Sequence, residues 1–369
     1  LSSFGTVEFT KDILILPGSN LTIHEGVTVK LDDGKNIIVH GKLMVLGSEQ
    51  NKVKIEKRTL NHFGFIQFQP TSIQSFIDQA TGEYIEGSIF KHCIINGSSS
   101  VQINTKIIGF DTVEIYNSSS NAIVGSAGIF IKHSLIDGCN GNCIELLTTG
   151  KTLQIYNCTI KRSTAIGVTF SDSTNDCSVN VLYSTFQENS LTGISVICSA
   201  AAPSTLKFIG NKLYKNKDGA VLSVNQGTIY QVIENEIIES NGGTALNLTS
   251  LVNPSVIEKN IIRSTSGGYA LYADTTGAVY ISENIIKDNV HLLGPTIMII
   301  SRGSSYATSI QLNKIVNNTA GGSKFLHYNK ANCDRNSTFT NNTITENILQ
   351  GVTAKSALIF FQISTGCKG

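Results

Sequence analysis

The sequence has no tryptophan, only five prolines, and few charged residues (15% of the chain, net charge +1). Because positive and negative charges are nearly equal in number, there is no electrostatic reason for the protein to bind nucleic acid or an anionic membrane. No apolar run approaches the roughly 20 residues that a membrane-spanning helix needs. The scarce prolines lie outside the repeated segments described below, as expected if those segments form central strands.

The chain has eight cysteines, an even number that favours an oxidising compartment and predicts a secreted or cell-surface protein. Cys139 and Cys143 share a Gly/Asn-rich loop, while Cys333 and Cys367 bracket the last repeat. These four are the disulfide candidates, although buried free thiols are an alternative for some cysteines. No Cys-x-x-Cys pair has a second such pair or a histidine partner, so no zinc site is expected. The chain begins at Leu1, which indicates either processing or a fragment of a longer protein.

A six-residue pattern recurs along the chain: a small polar residue, any residue, one or two apolar residues, a charged residue, then Ser, Asn or Asp. Its clearest copy is Asn235–Ser240. Eleven copies recur about every 24 residues, with apolar centres at Ile94, Ile115, Leu135, Ile160, Phe186, Leu213, Ile237, Ile261, Ile285, Ile315 and Ile344. A fixed period of this length indicates a repeat architecture.

Each repeat contains three short apolar pieces that alternate with the strand period of two and are rich in β-branched residues. The sequence therefore predicts an all-β fold, a single parallel β-helix (solenoid) with three short strands per coil of about 24 residues. We expect one domain over residues 1–369. It has starting coils at 1–60, an irregular coil with an insertion loop at 61–90, regular coils at 91–347 and a last coil at 348–369.

The first coils carry a recognisable series of motifs: Pro17-Gly18, then Leu21–Val27 (LTIHEGV), then Val39–Leu43 (VHGKL). With the downstream repeats, this resembles secreted right-handed β-helix proteins of the pectate-lyase-like superfamily. The resemblance implies a right-handed solenoid. It does not fix an activity, because such relatives include polysaccharide lyases, hydrolases, phage tailspikes and adhesins.

The fifth and sixth residues of the repeated pattern are expected at the surface and at a tight corner. The fifth residues predict a ladder of mostly alternating charge, formed by Arg162, Glu188, Lys215, Glu239, Arg263, Lys287 and Glu346. The sixth residues are small and polar, which suits left-handed backbone angles at a corner.

No catalytic constellation emerges from the sequence. The Asn-Thr-Asp, Gly-His-Gly and Arg-Ile-Lys patterns of polygalacturonase-like relatives are absent, and the paired aspartates Asp32-Asp33 are expected in a turn. Asp172 and Asp176 resemble a calcium loop only weakly, since neither the turn glycine nor the terminal glutamate is present. His92 and His133 are expected two coils apart, too far to share a metal. We therefore expect no catalytic residue, no metal and no cofactor.

Eight Asn-x-Ser/Thr sequons are candidates for N-linked glycans, a number close to chance: Asn20, Asn96, Asn117, Asn157, Asn247, Asn317, Asn336 and Asn341. Asn96, Asn117 and Asn317 occupy the expected outward fifth place, which makes them the best candidates.

Two functions remain open. The first is a non-enzymatic extracellular structural or adhesion protein, such as a glycosylated filament subunit whose open β-helix ends pair with another subunit or a neighbouring domain. The alternative is a polysaccharide-binding or polysaccharide-cleaving protein with a groove beside residues 61–90. Acids and aromatics clustered on one exposed face would favour the alternative, whereas smooth lateral faces would favour the scaffold.

Overall fold

The computed structural model describes residues 5–78, 83–104, 107–148, 152–173, 177–199, 204–224, 227–251, 254–292, 294–302, 307–321, 324–330, 337–350 and 357–363. The chain divides into two compact units, Leu1–Asp172 (unit 1) and Ser173–Gly369 (unit 2). The expectation of one domain over residues 1–369 stays a prediction. Within the described ranges, no helix is long and apolar enough to cross a membrane.

Unit 1 is built from three ladders of parallel strands. The first ladder contains Asn20–His24, Lys42–Leu46, the first halves of Ile89–Asn96 and Ile108–Ser118, Ile129–Lys132 and Thr152–Tyr156. The second contains Gly5–Phe9, Val27–Leu31, Val53–Lys57, the second halves of Ile89–Asn96 and Ile108–Ser118, Leu135–Cys139 and Thr159–Lys161. The third contains Ile13–Ile15, Ile37–Val39, Phe63–Phe68, Ser98–Ile103, Ile123–Gly125, Ile144–Thr148 and Val168–Asp172. A short antiparallel pair, Phe76–Ile77 with Tyr84–Glu86, lies in the insertion.

Unit 2 repeats the three ladders and adds a short fourth one. The first contains Ser178–Leu182, Ser204–Ile209, Gly227–Ile233, Ser255–Glu258, Val279–Ser282, Thr308–Gln311 and Thr338–Thr340. The second contains Thr185–Gln187, Lys212–Tyr214, Glu236–Ile238, Ile261–Arg263, Ile285–Lys287, Lys314–Val316 and Thr343–Thr345. The third contains Thr192–Cys198, Asp218–Val224, Leu246–Leu251, Leu271–Thr275, Ile297–Ser301, Lys324–Lys330 and Ala357–Ile363. The fourth contains Val290–His291, Thr319–Gly321 and Ile348–Gln350.

The predicted all-β solenoid of stacked parallel coils is confirmed, and its interior follows from the strand period of two. In Val27–Leu31, for example, Val27, Val29 and Leu31 are buried while the residues between them face outward. In unit 1 the interior includes stacked rings, with the centroids of Phe90 and Phe110 5.2 Å apart. Burying such β-branched and aromatic side chains supplies most of the driving force for stacking the coils.

A column of asparagines runs along unit 2, all buried except for half-buried Asn342. They occupy the first residue of the repeated pattern, or the second residue in the copies centred on Ile261 and Ile285. The members of the column are Asn211, Asn235, Asn260, Asn284, Asn313 and Asn342. The backbone N–H and the side-chain amide of Asn235 both donate to Asn260 Oδ1, at 3.0 and 2.9 Å, and the same amide also donates to Phe208 O at 2.8 Å. A buried polar group costs little only when it is paired in this way. The column therefore fixes each coil on the next.

A second column lies five residues later in every coil, at the sixth residue of the pattern or, in the copies centred on Ile261 and Ile285, one residue beyond it. Asn189 and Asn216 form its first part, and Asn289, Asn318 and Asn347 form its last part. Ser240 and Thr265 stand between the two parts, and Thr265 donates to Asn289 Oδ1 at 2.8 Å. These residues are buried, except for Asn347, which is half-buried. The sixth place is therefore interior in most copies of unit 2, whereas the sixth residues Ser264 and Asp288 are exposed and lie at corners, as predicted.

In unit 2 the corners of each coil are formed by the residue that precedes each column. The first corner joins the first ladder to the second, and the second corner follows the second ladder. At the second corner, positive φ angles of 52° to 57° occur in unit 1 at Asn117 and Arg162, and in unit 2 at Glu188, Lys215, Glu239, Ser264, Asp288, Asn317 and Glu346. At the first corner they occur at His92, Thr112, His133 and Asn157, and at Tyr183, Glu234, Lys259, Glu283, Leu312 and Asn341. In most copies the left-handed backbone thus lies at the fifth residue of the pattern, as at Lys215 and Glu239, one residue before the predicted place. In two copies it lies at the predicted sixth residue, Ser264 and Asp288. Each such residue costs about 1–2 kcal/mol relative to glycine, which the buried column bonds beside it offset.

The pairing register shifts four of the predicted pattern centres by one residue. Ile95, Ile136, Ile262 and Ile286 face inward, instead of the preceding residue in each case. The charge ladder changes accordingly. Lys215 Nζ lies 3.9 Å from Glu239 Oε2, as an alternating charge ladder requires. Arg263, however, lies beside Ile238 and Lys287 on the neighbouring strands, one residue before the corner, and not beside Glu239.

Candidate functional site

Outward side chains of three consecutive coils in unit 1, together with Lys52 from two coils earlier, form a polar surface with aromatic rings. We call this surface the charged face. It comprises Lys52, Asp111, Glu114, Tyr116, Lys132, Asp137, Tyr156, Lys161 and Arg162. The strand pairings place Tyr116 beside Asp137, and Asp137 beside Lys161, on successive coils. Neighbouring strands lie about 4.8 Å apart, so these groups are brought together although they are far apart in sequence.

Glu114 is held between a lysine and a tyrosine. Its Oε1 accepts from Lys52 Nζ and its Oε2 accepts from Tyr116 OH at 2.7 Å. Burial alone would raise the pKa of Glu114, but the hydrogen bonds from Lys52 and Tyr116 outweigh it and lower the pKa. Burial, followed by the bond to Glu114, raises the pKa of Tyr116 to about 12. At neutral pH the pair is therefore a carboxylate and a protonated phenol.

Asp137 anchors the second charged group. It is only 5% exposed, and it accepts from Arg162 through both carboxylate oxygens, with Nε 2.6 Å from Oδ1. Lys161 Nζ lies 3.4 Å from Oδ2. The Arg162 side chain is 58% exposed, so the bidentate pair holds a planar guanidinium at the surface.

The insertion predicted within residues 61–90 lies against the first ladder. Residues 79–82 of the insertion are outside the described ranges. Ser75 N donates to Ile107 O at 2.8 Å, and Gly109 N donates to Ser75 Oγ at 2.7 Å. The approach is close at Gly109, where an added side-chain carbon would lie 3.3 Å from Ser75 Oγ and 3.4 Å from Ile77 Cδ1. The insertion thus forms a rim at one edge of the charged face.

An ion-pair chain joins this rim to the coils. Lys132 Nζ lies 3.2 Å from Glu83 Oε1 in the insertion and 3.5 Å from Asp111 Oδ2 on the neighbouring coil. Beyond Lys132, the ring of His133 lies 5.6 Å from that of Tyr156, tilted by 38°. Tyr156 is 43% exposed and presents an aromatic surface beside the charged groups.

The chemistry available here is hydrogen bonding and ring stacking. Glu114 is ionised, so it accepts protons in hydrogen bonds but does not supply one as a general acid. Beneath the face, burial raises the pKa of the Cys93 thiol well above its usual range, which leaves it unreactive. Within the described residues, no group of three or more His, Cys, Asp or Glu side chains could hold a metal ion.

The residues singled out from the sequence lie elsewhere. Asp172 is buried and Asp176 lies outside the described residues, while His92 and His133 are both first-corner residues. Among the sequons, Asn20, Asn117, Asn157, Asn317 and Asn341 are exposed, Asn96 and Asn247 are half-buried, and Asn336 lies outside the described ranges. Their glycosylation stays a prediction.

The structure contains two disulfides, Cys139–Cys143 and Cys177–Cys198. The first joins the pair suggested by the sequence. Cys333 and Cys367 lie outside the described residues. The second pair was not predicted from the sequence. Its separation of 21 residues is a signal, because a chain that has passed through all three ladders returns to the same corner after almost one coil.

The acids and rings of the charged face were also missed. Glu114, Tyr116 and Asp137 occupy outward places of strands whose inward residues drew attention in the sequence. Their signal is the combination of charged and aromatic residues at outward places of successive coils, which becomes visible only when the register is known.

The comparisons with known proteins identify the fold. A family model described as "Right handed beta helix region" matches residues 41–235 and 203–360, which confirms the expected hand. No curated protein matches the sequence. Similar solved structures include the A-module of a mannuronan C-5 epimerase from Azotobacter vinelandii (12% identity, 88% of this chain and 91% of that chain, TM-score 0.30).

Two further similar structures come from phages. They are the receptor-binding domain of the siphovirus 9NA tailspike (9% identity, 99% of this chain and 73% of that chain, TM-score 0.30) and the receptor-binding tailspike of bacteriophage Det7 (11% identity, 98% and 75%, TM-score 0.24). Likenesses at this level carry no argument about function.

Proposed function

Because the chain belongs to the right-handed β-helix family, we propose that it is a carbohydrate-binding protein and that the charged face of unit 1 holds the glycan. One observation carries this proposal: acids, bases and aromatic rings are clustered on one exposed face beside the insertion. This is the feature expected to separate a carbohydrate function from a smooth scaffold. The coil spacing of about 4.8 Å is similar to the length of one sugar residue in an extended polysaccharide.

The charges on this face favour a neutral glycan. The face itself carries three acids and four bases, and Glu83 of the rim adds a fourth acid. They face each other in pairs or chains: Glu83, Asp111, Glu114 and Asp137, with Lys52, Lys132, Lys161 and Arg162. Their sum is zero, so no net field attracts a polyanion. Paired ions in fixed positions instead offer donors and acceptors to hydroxyl groups, at little cost in ordering side chains.

The same network favours binding over cleavage. Hydrolysis of a glycosidic bond needs one carboxyl group that carries a proton and a second one that does not. Glu114 has a lowered pKa because Lys52 and Tyr116 stabilise its charge, and Asp137 is bound by a guanidinium. Both carboxylates are thus arranged to accept hydrogen bonds.

The polar, uneven charged face is unlike the smooth lateral faces expected of a filament subunit, so the alternative interpretation of the sequence is the better supported one. The two disulfides support secretion as the setting for such a protein, because disulfides persist in oxidising compartments.

The full chain should be titrated calorimetrically with neutral hexasaccharides of β-1,4-glucose, β-1,3-glucose, α-1,4-glucose and β-1,4-mannose. Tyr156→Ala removes an exposed ring, and Arg162→Gly removes the guanidinium at a corner where glycine is the favoured residue. Each variant should weaken binding about tenfold, the effect of losing roughly 1.4 kcal/mol. Tyr183→Ala, which removes a 54% exposed tyrosine at the first corner of unit 2, is the matched control.

Binding should change less than threefold between low and physiological salt, because no net charge is neutralised. Equal losses in Tyr156→Ala and Tyr183→Ala would move the site away from the charged face. The appearance of new reducing ends during incubation would show that the protein cleaves its ligand and would overturn the binding-only assignment.

A further inference from the structure

A second cluster of aromatic and charged residues lies on the third ladder of unit 2. Outward residues there change character along successive strands. Ser195 and Val221 are small, whereas Tyr272 and Met298 are large, and the pairings place all four in one line through Asn247. The surface therefore becomes broad and aromatic at the strands Leu271–Thr275 and Ile297–Ser301.

Two tyrosines form the centre of this cluster. The ring centroids of Tyr269 and Tyr272 are 5.5 Å apart and tilted by 38°. Gly294 on the next coil lies beside Tyr269, and a side-chain carbon added there would be 3.7 Å from the ring. Burial, followed by the charge of Asp274, raises the pKa of Tyr272, so its phenol stays protonated and can donate. Tilted, half-buried rings offer an apolar surface with polar edges.

An aspartate and an arginine lie directly beside the rings. Arg302 Nε is 2.8 and 3.0 Å from the two oxygens of Asp274, and Arg302 Nη2 is 2.8 Å from Oδ2. The Arg302 side chain is 56% exposed and that of Asp274 is 18% exposed. Arg302 also shares a hydrogen bond with the side chain of Tyr272. A guanidinium has five N–H groups, more than these two partners use.

The pair is not needed to hold the coils together. Ion pairs at such exposure contribute about 0–1 kcal/mol, and the strands are already joined by the ladder pairing of Tyr272 with Met298 and of Asp274 with Ile300. A fixed guanidinium–carboxylate plane beside two rings is nevertheless well suited to recognition. It offers a donor and an acceptor at the spacing of neighbouring hydroxyl groups, next to a surface on which the C–H face of a sugar ring stacks.

We propose that Tyr269, Tyr272, Asp274 and Arg302 form a second glycan subsite, which takes one neutral hexopyranose unit. The sugar ring stacks on the tyrosines, one hydroxyl accepts from Arg302, and a neighbouring hydroxyl donates to Asp274. The ligand class, though not the site, rests on the function proposed above. The charges of Asp274 and Arg302 cancel, so a uronate unit gains no advantage here.

The test is native mass spectrometry of the full chain with the four neutral hexasaccharides, which counts bound molecules directly. We expect two bound molecules for the wild type. Tyr272→Ala should lose one of them, while Tyr272→Phe keeps the ring and stays within about threefold of wild-type affinity. Tyr280→Ala is the matched control, because Tyr280 lies on the first ladder of unit 2 and is 46% exposed.

The two proposals fail in different ways. If Tyr272→Ala still binds two molecules and Tyr156→Ala loses one, the second subsite is overturned and the charged face stands. If Tyr156→Ala still binds two and Tyr272→Ala loses one, the charged face is overturned and the subsite stands. If no neutral hexasaccharide binds, both are overturned, and tighter binding of an oligo-uronate that depends on Arg302 would overturn the neutral ligand assigned here.

Discussion

The asparagine column of unit 2 makes a sharp prediction at Asn260. Replacing Asn260 with alanine removes the acceptor for both the backbone N–H and the side-chain amide of Asn235. It also removes the donor to Val232 O and to Asn284 Oδ1. A buried donor without a partner costs about 1–3 kcal/mol, and the two donors of Asn235 therefore predict a loss of about 2–6 kcal/mol.

Urea unfolding followed by far-ultraviolet circular dichroism would measure this loss. Repeat proteins of this length do not always unfold in one step, so the local effect should be measured too. Hydrogen exchange of a peptide covering residues 230–240 reports whether the amide of Asn235 opens faster. Lys212→Ala is the control, because Lys212 is an exposed residue of the same ladder and such changes stay within about 0.5 kcal/mol. Equal midpoint shifts in the two variants, with unchanged exchange at Asn235, would refute the role of the column.

Three further predictions follow from other features of unit 2. Leu312 has a φ of +58° and is 51% exposed. Leu312→Asn should raise the free energy of unfolding in urea by up to about 1 kcal/mol, because asparagine adopts the left-handed backbone more readily, whereas Leu312→Val should lower it. A more stable valine variant would contradict the strain argument. Burial lowers the pKa of His291 from 6.5 to about 4. Between these pH values the folded state therefore binds fewer protons than the unfolded state. The contribution of His291 to the free energy of unfolding is complete above pH 6.5 and is lost as the pH falls toward 4. The loss should reach about 2–3 kcal/mol, and urea midpoints at about pH 7 and pH 4.5 should differ less in His291→Gln than in the wild type. The double variant Cys177→Ala/Cys198→Ala should lose about 3 kcal/mol, as expected for closing a loop of this size, and a non-reducing peptide map that finds either cysteine as a free thiol would remove the basis of this estimate.

Much of the fold could be predicted because the coil repeats, but the register could not be read from apolar residues alone. Where the pattern contains two adjacent isoleucines, as in Ile261-Ile262 and Ile285-Ile286, hydrophobicity does not show which one faces inward. The preceding asparagine does, because Asn260 bonds to the asparagine of the next coil and the second residue after it is always interior. Aligning the repeats of unit 2 on these asparagines would have placed the residues of the predicted charge ladder in the correct register.

The candidate site was less predictable for a different reason. Glu114 and Asp137 are 23 residues apart, and only the stacking of coils makes them neighbours. The insertion posed a similar difficulty. The sequence predicts an insertion loop within residues 61–90, but nothing in it shows that Ser75 and the backbone of Gly109 bond to each other.

The two asparagine columns have a consequence for how such a chain tolerates change in length. Asn211 and Asn216, like Asn342 and Asn347, are five residues apart in sequence, whereas successive members of one column are separated by between 24 and 29 residues. All variation in length therefore falls outside the stretch between the columns. New residues can enter at the corner between the third and first ladders, as after Ser301, without changing how the coils stack. A recognition loop of foreign sequence could therefore be grafted there, because the asparagine columns, and not this corner, set the pairing register of the coils.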